Sequence, residues 1–349
     1  MTRLAVVLLN LGGPDRAEAV QPFLFNLFND RAIIGLPQPL RWLIAKAIST
    51  RRAPVARKIY GHLGGGSPLL ANTEAQARAL EAALGGATKV FVAMRYWRPF
   101  ARETAAAVKA FAPERVVLLP LYPQFSTTTT GSSLDDWRRA AKSVGLAAPT
   151  AALCCYPTER GFIAALAGAI RPALEAARVH GTPRLLLTAH GLPKKIVASG
   201  DPYQVQVEAT AAAVVAALDV ADLDWTVCYQ SRVGPLEWIG PATDAEVRRA
   251  GRDKVPVVMA PIAFVSEHSE TLVELDIEYR HLAQSVGVPD YRRVPTVDAA
   301  TAFIAGLAAL VRHAAAAPAG RCVAEDDTRF CPDDPRGARC RFATSAGAA

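Results

Sequence analysis

The feature that most constrains the fold is a series of short apolar runs that occurs twice along the 349 residues. In each half, four runs rich in Leu and Val end in Gly, Pro or polar residues, and Ala-rich segments of helical period separate them. Strands that alternate with helices favour an α/β protein with mostly parallel sheets. The runs begin at Leu4, Lys89, Arg115 and Thr150, and again at Arg184, Trp225, Val255 and Tyr291. We therefore predict two similar doubly wound, Rossmann-like halves.

The first half is longer than the second between its first and second runs, by roughly 40 residues. The extra residues fall in a segment at about 20–60 that is both apolar and basic. Residues 31–60 contain seven Lys and Arg residues and no acidic one, which equals the whole net charge of +7. Because ligands of open α/β sheets bind beyond the carboxyl ends of the strands, we predict that this insertion forms a lip over that edge.

Composition limits the cellular location and the binding partners that we expect for this protein. Basic residues alternate with Ile, Leu and Trp in the lip, which favours an anionic lipid surface or an amphiphilic anionic ligand over nucleic acid. No run reaches the ~18 to 20 apolar residues of a membrane-spanning helix, so we expect any membrane contact to be peripheral. The first apolar run lacks a cleavage site, and six unevenly spread cysteines do not make a disulfide scaffold. We expect a cytoplasmic protein with halves at 1–160 and 161–317 and a Cys-containing tail at 318–349.

His190 is the first candidate for chemistry, because it ends the run that begins at Arg184 and precedes a Gly-Leu-Pro turn. An imidazole there projects beyond the carboxyl end of the sheet. Its ordinary pKa near ~6.5 suits a proton acceptor or a metal ligand at neutral pH. A strand-end histidine that only caps a turn is the structural alternative.

The acidic segment at 266–278 is the second candidate. Ser266 is placed to cap a helix, and Glu267 and His268 lie at its start. Four-residue spacing predicts one shared helix face for Glu270, Glu274 and Glu278. Such a ladder can bind a divalent cation or relay protons, whereas a solvated helix face is the structural alternative. With histidine nearby the ligand types suit Fe²⁺, Zn²⁺ or Co²⁺, in transient contact because no HExxH or CxxC motif of a permanent zinc site is present.

Arginines and large aromatic rings follow other runs, a combination that suits a flat aromatic ligand carrying carboxylates. The candidates are Arg95, Tyr96, Trp97, Arg98, Tyr122, Phe125 and Trp238. Ordinary core packing explains part of this set equally well. The glycine-rich turns at 12–13 and 61–66 lack the spacing of nucleotide-binding loops, so we do not expect a nucleotide there.

Taken together, the motifs resemble those of the ferrochelatase family, the terminal enzymes of protohaem synthesis. From Val6 to Tyr279, in family order, they are VVLLNLGGP, GGGSP, LPLYPQFSTTTTGSS, TAHGLP, GDPY, QSRVGPLEWIGP and PIAFVSEHSETLVELDIEY. Each motif is weak alone, whereas the set is specific. The resemblance implies a class II chelatase-like fold with an active-site cleft between its halves. It also implies an enzyme that inserts Fe²⁺, as a substrate, into protoporphyrin IX without a required cofactor.

The resemblance also implies roles for individual residues. His190 becomes the proton acceptor or iron contact, and Glu270 its partner and a second metal contact. His268 would orient Glu270, while Glu274 and Glu278 extend a path for protons or metal. The implied porphyrin contacts are Arg95, Tyr96, Tyr122, Trp238, Ser132 and Arg31, the last two for propionates. The lip would take the insoluble porphyrin from the inner face of a membrane, and the protein would be a monomer or homodimer that binds no nucleic acid.

Some members of the family hold an iron–sulfur cluster through cysteines near the C-terminus. Here the corresponding residues are Cys322, Cys331 and Cys340. In the animal enzymes a fourth cysteine lies in the loop containing YPQ, where this sequence has Thr127. The resemblance therefore implies either three tail thiols without a cluster, or a [2Fe–2S] cluster whose fourth ligand is Cys154, Cys155 or Cys228.

Two alternative functions stay open at this point. One is a chelatase for another tetrapyrrole or metal, such as coproporphyrin or Co²⁺. The other is a porphyrin or haem carrier without catalysis, since paired α/β halves around a cleft also suit a binding protein. A carrier has no need of the glutamate ladder, and a secreted carrier would begin with a signal peptide.

Overall fold

Eight of the strands in the computed structural model lie where the two series of apolar runs predict them. The structure describes residues 3–232 and 234–325. The strands there are Leu4–Asn10 (β1), Thr88–Met94 (β2), Arg115–Pro120 (β3), Thr150–Leu153 (β4), Arg184–His190 (β5), Trp225–Gln230 (β6), Val257–Pro261 (β7), Tyr291–Arg293 (β8) and Cys322–Val323 (β9). The two-residue β9 was not predicted.

Helices connect the strands, as the Ala-rich segments predict. They are Val20–Phe28 (α1), Leu40–Gly61 (α2), Leu69–Leu84 (α3), Ala101–Phe111 (α4), Ser132–Val144 (α5), Arg160–Ala177 (α6), Lys194–Ala198 (α7), Tyr203–Leu218 (α8), Thr243–Asp253 (α9), Tyr279–Ser285 (α10) and Thr301–Ala316 (α11). Two further segments, Thr127–Gly131 and Glu270–Glu278, are π-helical. Two short 3-10 turns lie at Ala17–Ala19 and Arg178–His180.

The described residues form two compact units, one of 3–155 with 308–325 and the other of 156–307. The first unit contains a parallel sheet in the order β2-β1-β3-β4-β9, and the second a parallel sheet in the order β6-β5-β7-β8. The first four strands of both units have the same order, which confirms the predicted repeat of doubly wound halves. The domain limits at residues 160 and 317 stay a prediction.

The central strands of each sheet are buried on both faces, which explains why they read as continuous apolar runs. In the first unit β1 is buried from its second residue to its end. Val7 and Leu118 pack with Trp137 of α5 on one face of that sheet. In the second unit Leu186 and Met259 pack in a core of the same kind. Because the strands are parallel, all their carboxyl ends lie at one edge of each sheet.

The predicted lip consists of α1, α2 and the loop between them. The two helices pack together, with Phe25 and Trp42 in an edge-to-face contact at 6.0 Å. Asn26 donates a hydrogen bond of 3.0 Å to the carbonyl oxygen of Tyr96, which lies just after β2. Large apolar side chains of the lip stay exposed, namely Ile33, Leu36, Leu40, Trp42, Leu43 and Val55.

The two glycine-rich turns of the first unit pack against each other. A Cβ atom at Gly13 would lie 2.5 Å from that of Ser67, and one at Gly66 would lie 2.7 Å from the carbonyl oxygen of Asp15. The amide of Ser67 donates a 2.7 Å hydrogen bond to the carbonyl of Pro14. These glycines permit close backbone approach. Within the described part of the chain, every helix is too short or too polar to span a membrane.

Candidate active site

His190 ends β5, and its ring is fixed by the turn that follows. Its Nδ1 lies 2.6 Å from the carbonyl oxygen of Gly191, and since a carbonyl only accepts, Nδ1 carries the hydrogen. Nε2 then keeps the lone pair of the neutral ring. A Cβ atom at residue 191 would lie 2.9 Å from the carbonyl oxygen of Gln230 and 3.2 Å from the Trp238 ring. The glycine of the HGLP motif is therefore required for this turn.

The Glu270 carboxylate lies between two histidine rings. Its Oε1 is 3.7 Å from Nε2 of His190, and its Oε2 is 3.5 Å from Nε2 of His268. Burial raises the pKa of Glu270, but the positive charges that His190 and His268 carry when protonated, together with a hydrogen bond from His268, outweigh burial and lower the pKa to about 2. Glu270 is therefore an ionised carboxylate at neutral pH.

His268 is oriented in the same way as His190. Its Nδ1 donates to the carbonyl oxygen of Ser266 at 3.1 Å, and its ring packs on Phe264 with 4.7 Å between ring centres. In both histidines Nδ1 thus donates to a backbone carbonyl, and Nε2 faces Glu270. Histidines that bind metals commonly have their second nitrogen held in this way. Among the described residues, however, no three His, Cys, Asp or Glu side chains form a closed metal site.

Glu274 is tied to the end of β6 by polar contacts. Its carboxylate accepts hydrogen bonds from the backbone amide of Ser231 at 2.8 Å, the Ser231 hydroxyl at 2.5 Å and the side-chain amide of Gln230 at 3.2 Å. The Tyr279 hydroxyl donates to it at 3.3 Å. Burial and the charge of Glu270 raise the pKa of Glu274, against the opposing effect of the Ser231 hydrogen bonds.

The predicted helix at 266–278 needs a correction. Glu270–Glu278 is π-helical, and the α-helix begins at Tyr279. The predicted helix type is therefore wrong, because i to i+5 hydrogen bonds, rather than i to i+4, define a π-helix, whereas the shared face of the glutamates stays a prediction. Glu274 is held as described above, whereas Glu278 is exposed to solvent.

Three further residues belong to this site and are not among those predicted from the sequence. Ser231 and Gln230 hold Glu274, and their signal was the motif QSRVGP at a strand end. Tyr203, from the GDPY motif, is buried, and its pKa is raised by burial and by the charges of neighbouring Tyr229 and Glu270. Of the predicted porphyrin contacts, the second unit contains Trp238, which pairs with Pro193 beside the His190 turn. The indole nitrogen of Trp238 is buried, and no described residue forms a hydrogen bond with it.

In the first unit, three predicted porphyrin contacts converge on one carboxylate that sequence reasoning missed. Asp30 accepts hydrogen bonds from Nη2 of Arg95 and the hydroxyl of Tyr96, both at 2.8 Å, and from the hydroxyl of Ser132. Burial raises the pKa of Asp30, but Arg95 and these hydrogen bonds lower it below its ordinary value. Nη1 of Arg95 lies 3.7 Å from Asp136 as well. Arg95 thus has two carboxylate neighbours.

The remaining predicted contacts of the first unit differ in exposure. Arg31 is exposed. Tyr122 is half-buried, with a buried hydroxyl beside Ser133, and burial raises its pKa. Tyr96, by contrast, is 1% exposed and belongs to a core cluster with Phe23 and Tyr60.

Comparison with known proteins decides the family. The model of the ferrochelatase family matches residues 3–315. The chain belongs to the ferrochelatase family. Ferrochelatase of Caulobacter vibrioides is 59% identical over 89% of this chain and 90% of its own. The ferrochelatases of Phenylobacterium zucineum and of Wolbachia from Drosophila simulans are 57% and 52% identical, each over 88% of this chain and over 90% and 98% of their own.

Solved structures give the same fold at low sequence identity. SirB from Bacillus subtilis with Fe³⁺ matches with a TM-score of 0.55 at 11% identity, covering 90% of this chain and 96% of SirB. The sirohydrochlorin chelatase SirB from subspecies spizizenii, in complex with cobalt, matches with a TM-score of 0.53 at 10% identity over the same shares. The fold of the ferrochelatase family is thus shared with these chelatases, which confirms the predicted fold class.

Proposed function

We propose that this chain inserts Fe²⁺ into protoporphyrin IX and releases two protons, the last step of protohaem synthesis. Membership of the ferrochelatase family supports this function. The observation that carries it is the position of Glu270 between the Nε2 atoms of His190 and His268. The chain is then an enzyme of the lyase class, and Fe²⁺ is its substrate.

His190 accepts a pyrrole proton in this proposal. Insertion of the metal must remove two pyrrole N–H protons, which requires a base within reach. With Nδ1–H bound to the Gly191 carbonyl, Nε2 has the free lone pair. The imidazolium that forms is stabilised by the Glu270 carboxylate 3.7 Å away. His190 has a 40% exposed side chain, so a substrate can reach it.

Glu270 handles the metal. A carboxylate that remains ionised, with a pKa of about 2, offers oxygen ligands to Fe²⁺ while the ion loses its waters. His268 orients Glu270 through the 3.5 Å contact with its Oε2. Two donors of different type, an imidazole nitrogen and a carboxylate, suit an ion that is transferred rather than stored. His190 and Glu270 act as one site, and their proton and metal contacts are coupled.

Glu274 extends the site toward β6. Its contacts with Ser231 and Gln230 hold it in place, four residues after Glu270 in the π-helical segment. A buried carboxyl with a raised pKa can hold a proton that leaves the reaction centre. Glu278 is exposed, so protons that pass it enter the solvent.

The porphyrin contacts remain part of the proposal. Tyr122 offers a ring with a buried hydroxyl, Trp238 offers a ring whose nitrogen has no hydrogen-bond partner among the described residues, and Arg31 is an exposed cation. Arg95, Tyr96 and Ser132 are already bonded to Asp30. A propionate that binds Arg95 would therefore compete with an internal carboxylate.

The lip provides a surface for a membrane in this proposal. Trp42 and Leu43 are 46% and 55% exposed, and both lie on α2 beside basic residues. Exposed apolar side chains among cations are typical of peripheral contact with anionic lipid. A cytoplasmic protein that contacts the inner face of the membrane would collect an insoluble porphyrin there.

A [2Fe–2S] cluster is a separate proposal, supported by the packing of cysteines in the first unit. Cys322 packs against a buried cluster of Phe125, Cys154 and Cys155. Phe125 belongs to the loop in which, by resemblance, the animal enzymes have their fourth cysteine. Cys154 or Cys155 thus fits the fourth ligand better than Cys228, which is buried in the second unit. Cys331 and Cys340 lie outside the described residues.

Optical and electron paramagnetic resonance spectra of purified protein test the cluster. We expect visible sulfur-to-iron absorption that is lost in Cys322→Ser and in Cys154→Ser or Cys155→Ser, and retained in Cys228→Ser. A colourless protein without acid-labile sulfide would refute the proposal. The bound cluster would add a redox-active centre to the first unit, and no step of insertion requires it.

An anaerobic absorbance assay tests the proposed function. Protein mixed with Fe²⁺ and protoporphyrin IX is expected to convert the free-base spectrum to that of haem faster than a protein-free blank. Coproporphyrin and Co²⁺ are run in parallel. Faster turnover of either would indicate another chelatase specificity, and porphyrin binding without any insertion would favour the carrier.

A further inference from the structure

Arg293 joins the two ends of the segment that contains the candidate catalytic residues. It ends β8, and its guanidinium contacts two carboxylates that lie nine positions apart in the sequence. Nη1 donates to Oε1 of Glu267, which directly precedes His268. Nη2 and Nε both donate to Oδ2 of Asp276, at 2.5 and 3.0 Å. His268, Glu270 and Glu274 lie between these two anchors.

The environment makes these contacts strong. The side chain of Arg293 is 10% exposed, that of Glu267 14% and that of Asp276 26%. The Thr296 amide donates to the same Glu267 oxygen at 3.0 Å, so Glu267 is also fixed to the loop after β8. Hydrogen bonds between buried ions are among the stronger polar contacts in proteins. Removal of one partner leaves another charge uncompensated.

The backbone between Glu267 and Asp276 has an unusual conformation, which contacts with neighbouring strands hold in place. Glu270–Glu278 is π-helical, a rare conformation that is common at functional sites. The segment follows β7 and is attached to β6 through Glu274 and to β8 through Arg293. The planar guanidinium fork sets the separation of Glu267 and Asp276, which lysine, with a single charged nitrogen, cannot reproduce.

We propose that Arg293 is a positioning residue, which ties Glu267 to Asp276 and so holds the π-helical segment with Glu270 directed at His190. Arg293 touches neither His190 nor Glu270, so its effect on the reaction is indirect. The proposal rests on the proposed function, because it concerns the same site. Haem formation would then require Arg293 in addition to the residues that contact iron or porphyrin.

Arg184 provides a matched control. It lies at the opposite, amino end of β5, is 8% exposed, and also joins two carboxylates, Asp224 and Asp253, each at 2.8 Å. Arg184→Lys therefore removes a similar buried fork in the same unit, away from the candidate site. A general loss of stability affects both variants, whereas a loss of positioning affects Arg293→Lys alone.

The experiment compares Arg293→Lys and Arg293→Gln with Arg184→Lys in the full chain. Haem formation is measured anaerobically at saturating Fe²⁺ and protoporphyrin IX, and porphyrin affinity by fluorescence quenching. We expect kcat to fall about tenfold in Arg293→Lys and about 100-fold in Arg293→Gln, since a displacement near 1 Å has an effect of that order. Porphyrin Kd should stay within about twofold of wild type. Arg184→Lys should keep kcat.

Hydrogen exchange of residues 267–278 gives a readout that does not depend on activity. We expect these amides to exchange about tenfold faster in Arg293→Lys than in Arg184→Lys. If Arg293→Gln does not fold, Arg293→Lys tests the positioning role. Glu267→Gln and Asp276→Asn, which each remove one of the two carboxylates bound by Arg293, test it as well. Unchanged kcat and unchanged exchange in Arg293→Lys would overturn the proposal, as would equal losses of kcat and porphyrin binding. An inactive wild type would instead refute the proposed function and leave the exchange result to decide the role of Arg293.

Discussion

Nε2 of His190 lies 3.7 Å from Oε1 of Glu270, although 80 positions separate the two residues in the sequence. His190 ends β5, and Glu270 follows β7, the strand that pairs with β5 in parallel. Carboxyl ends of neighbouring parallel strands meet at one edge of the sheet, which is why two such distant residues come together. The proposed chemistry follows from this pair, since one member accepts a proton and the other remains ionised.

Glu270→Gln tests the need for a charged carboxylate. The amide keeps the size of the side chain but loses the charge that binds Fe²⁺ and stabilises the His190 imidazolium. We expect kcat for haem formation to fall at least about 100-fold, a loss typical of a single electrostatic or acid–base group. Glu175→Gln is the control, because Glu175 is exposed on α6 of the same unit and lies outside the candidate site. Similar activity in both variants would contradict the proposed role.

The pKa of Glu270 predicts a specific acid sensitivity. In the folded protein its pKa is about 2, below the ordinary value of 4.5. A carboxyl with a lowered folded pKa stabilises the fold fully above about pH 4.5, and this contribution is lost as the pH falls toward 2. The upper limit of this contribution to the free energy of unfolding is about 3 kcal/mol. Urea unfolding from about pH 5 to about pH 3 should show a shallower loss of stability in Glu270→Gln than in wild type. Parallel curves would argue against the lowered pKa.

Asp30 is predicted to matter for stability. Its side chain is 8% exposed and accepts bonds from Arg95, Tyr96 and Ser132. Asp30→Asn leaves the Arg95 charge with less compensation, so we expect the free energy of unfolding to fall by about 2–4 kcal/mol. Asp136→Asn, at 3.7 Å from Arg95 and more exposed, should cost less than about 1 kcal/mol. Chemical denaturation measures both, and equal effects would contradict the assignment.

The lip is predicted to bind anionic membranes. Trp42→Ser and Leu43→Ser each remove an exposed apolar side chain from α2, so we expect sedimentation with phosphatidylglycerol vesicles to fall about tenfold for each. Val179→Ser is the control, because Val179 is 84% exposed in the second unit and lies outside the lip. Wild-type protein that does not bind these vesicles would contradict membrane contact through the lip, and equal binding of neutral phosphatidylcholine vesicles would contradict the preference for anionic lipid.

The central strands were predictable because a parallel strand that is buried on both faces is apolar along its whole length. β8 contains two arginines, and its place in the repeat predicts it instead. Each of the eight runs corresponds to a strand, and the repeat appears again in the strand order of both sheets. β9 has two residues and pairs with β4, so its own sequence contains no pattern from which to predict it. A local signal thus sufficed for strands that are long and buried.

The candidate site was predictable only where local sequence determines it. The HGLP turn places His190 through a glycine that the close approach of Gln230 requires. The π-helical segment after β7 instead contacts the ends of two other strands, through Glu274 to Ser231 after β6 and through Asp276 to Arg293 of β8. No spacing within the segment reports such contacts.

Asp30 shows the same limit. It meets Arg95 across 65 positions and Ser132 across 102. Its place in a basic, apolar insertion gave no sign that three predicted ligand contacts would bind it. Polar residues that face each other across a fold are found only once the fold is known.

The most direct test of the account is His190→Ala, assayed anaerobically for haem formation from Fe²⁺ and protoporphyrin IX alongside porphyrin binding by fluorescence quenching. His281→Ala, an exposed histidine of the same unit, is the control. A general base contributes about 10²–10⁴-fold, so we expect a loss of that size in kcat with porphyrin Kd nearly unchanged. Haem formation at the wild-type rate in His190→Ala would contradict it, and so would an equal loss of binding and activity.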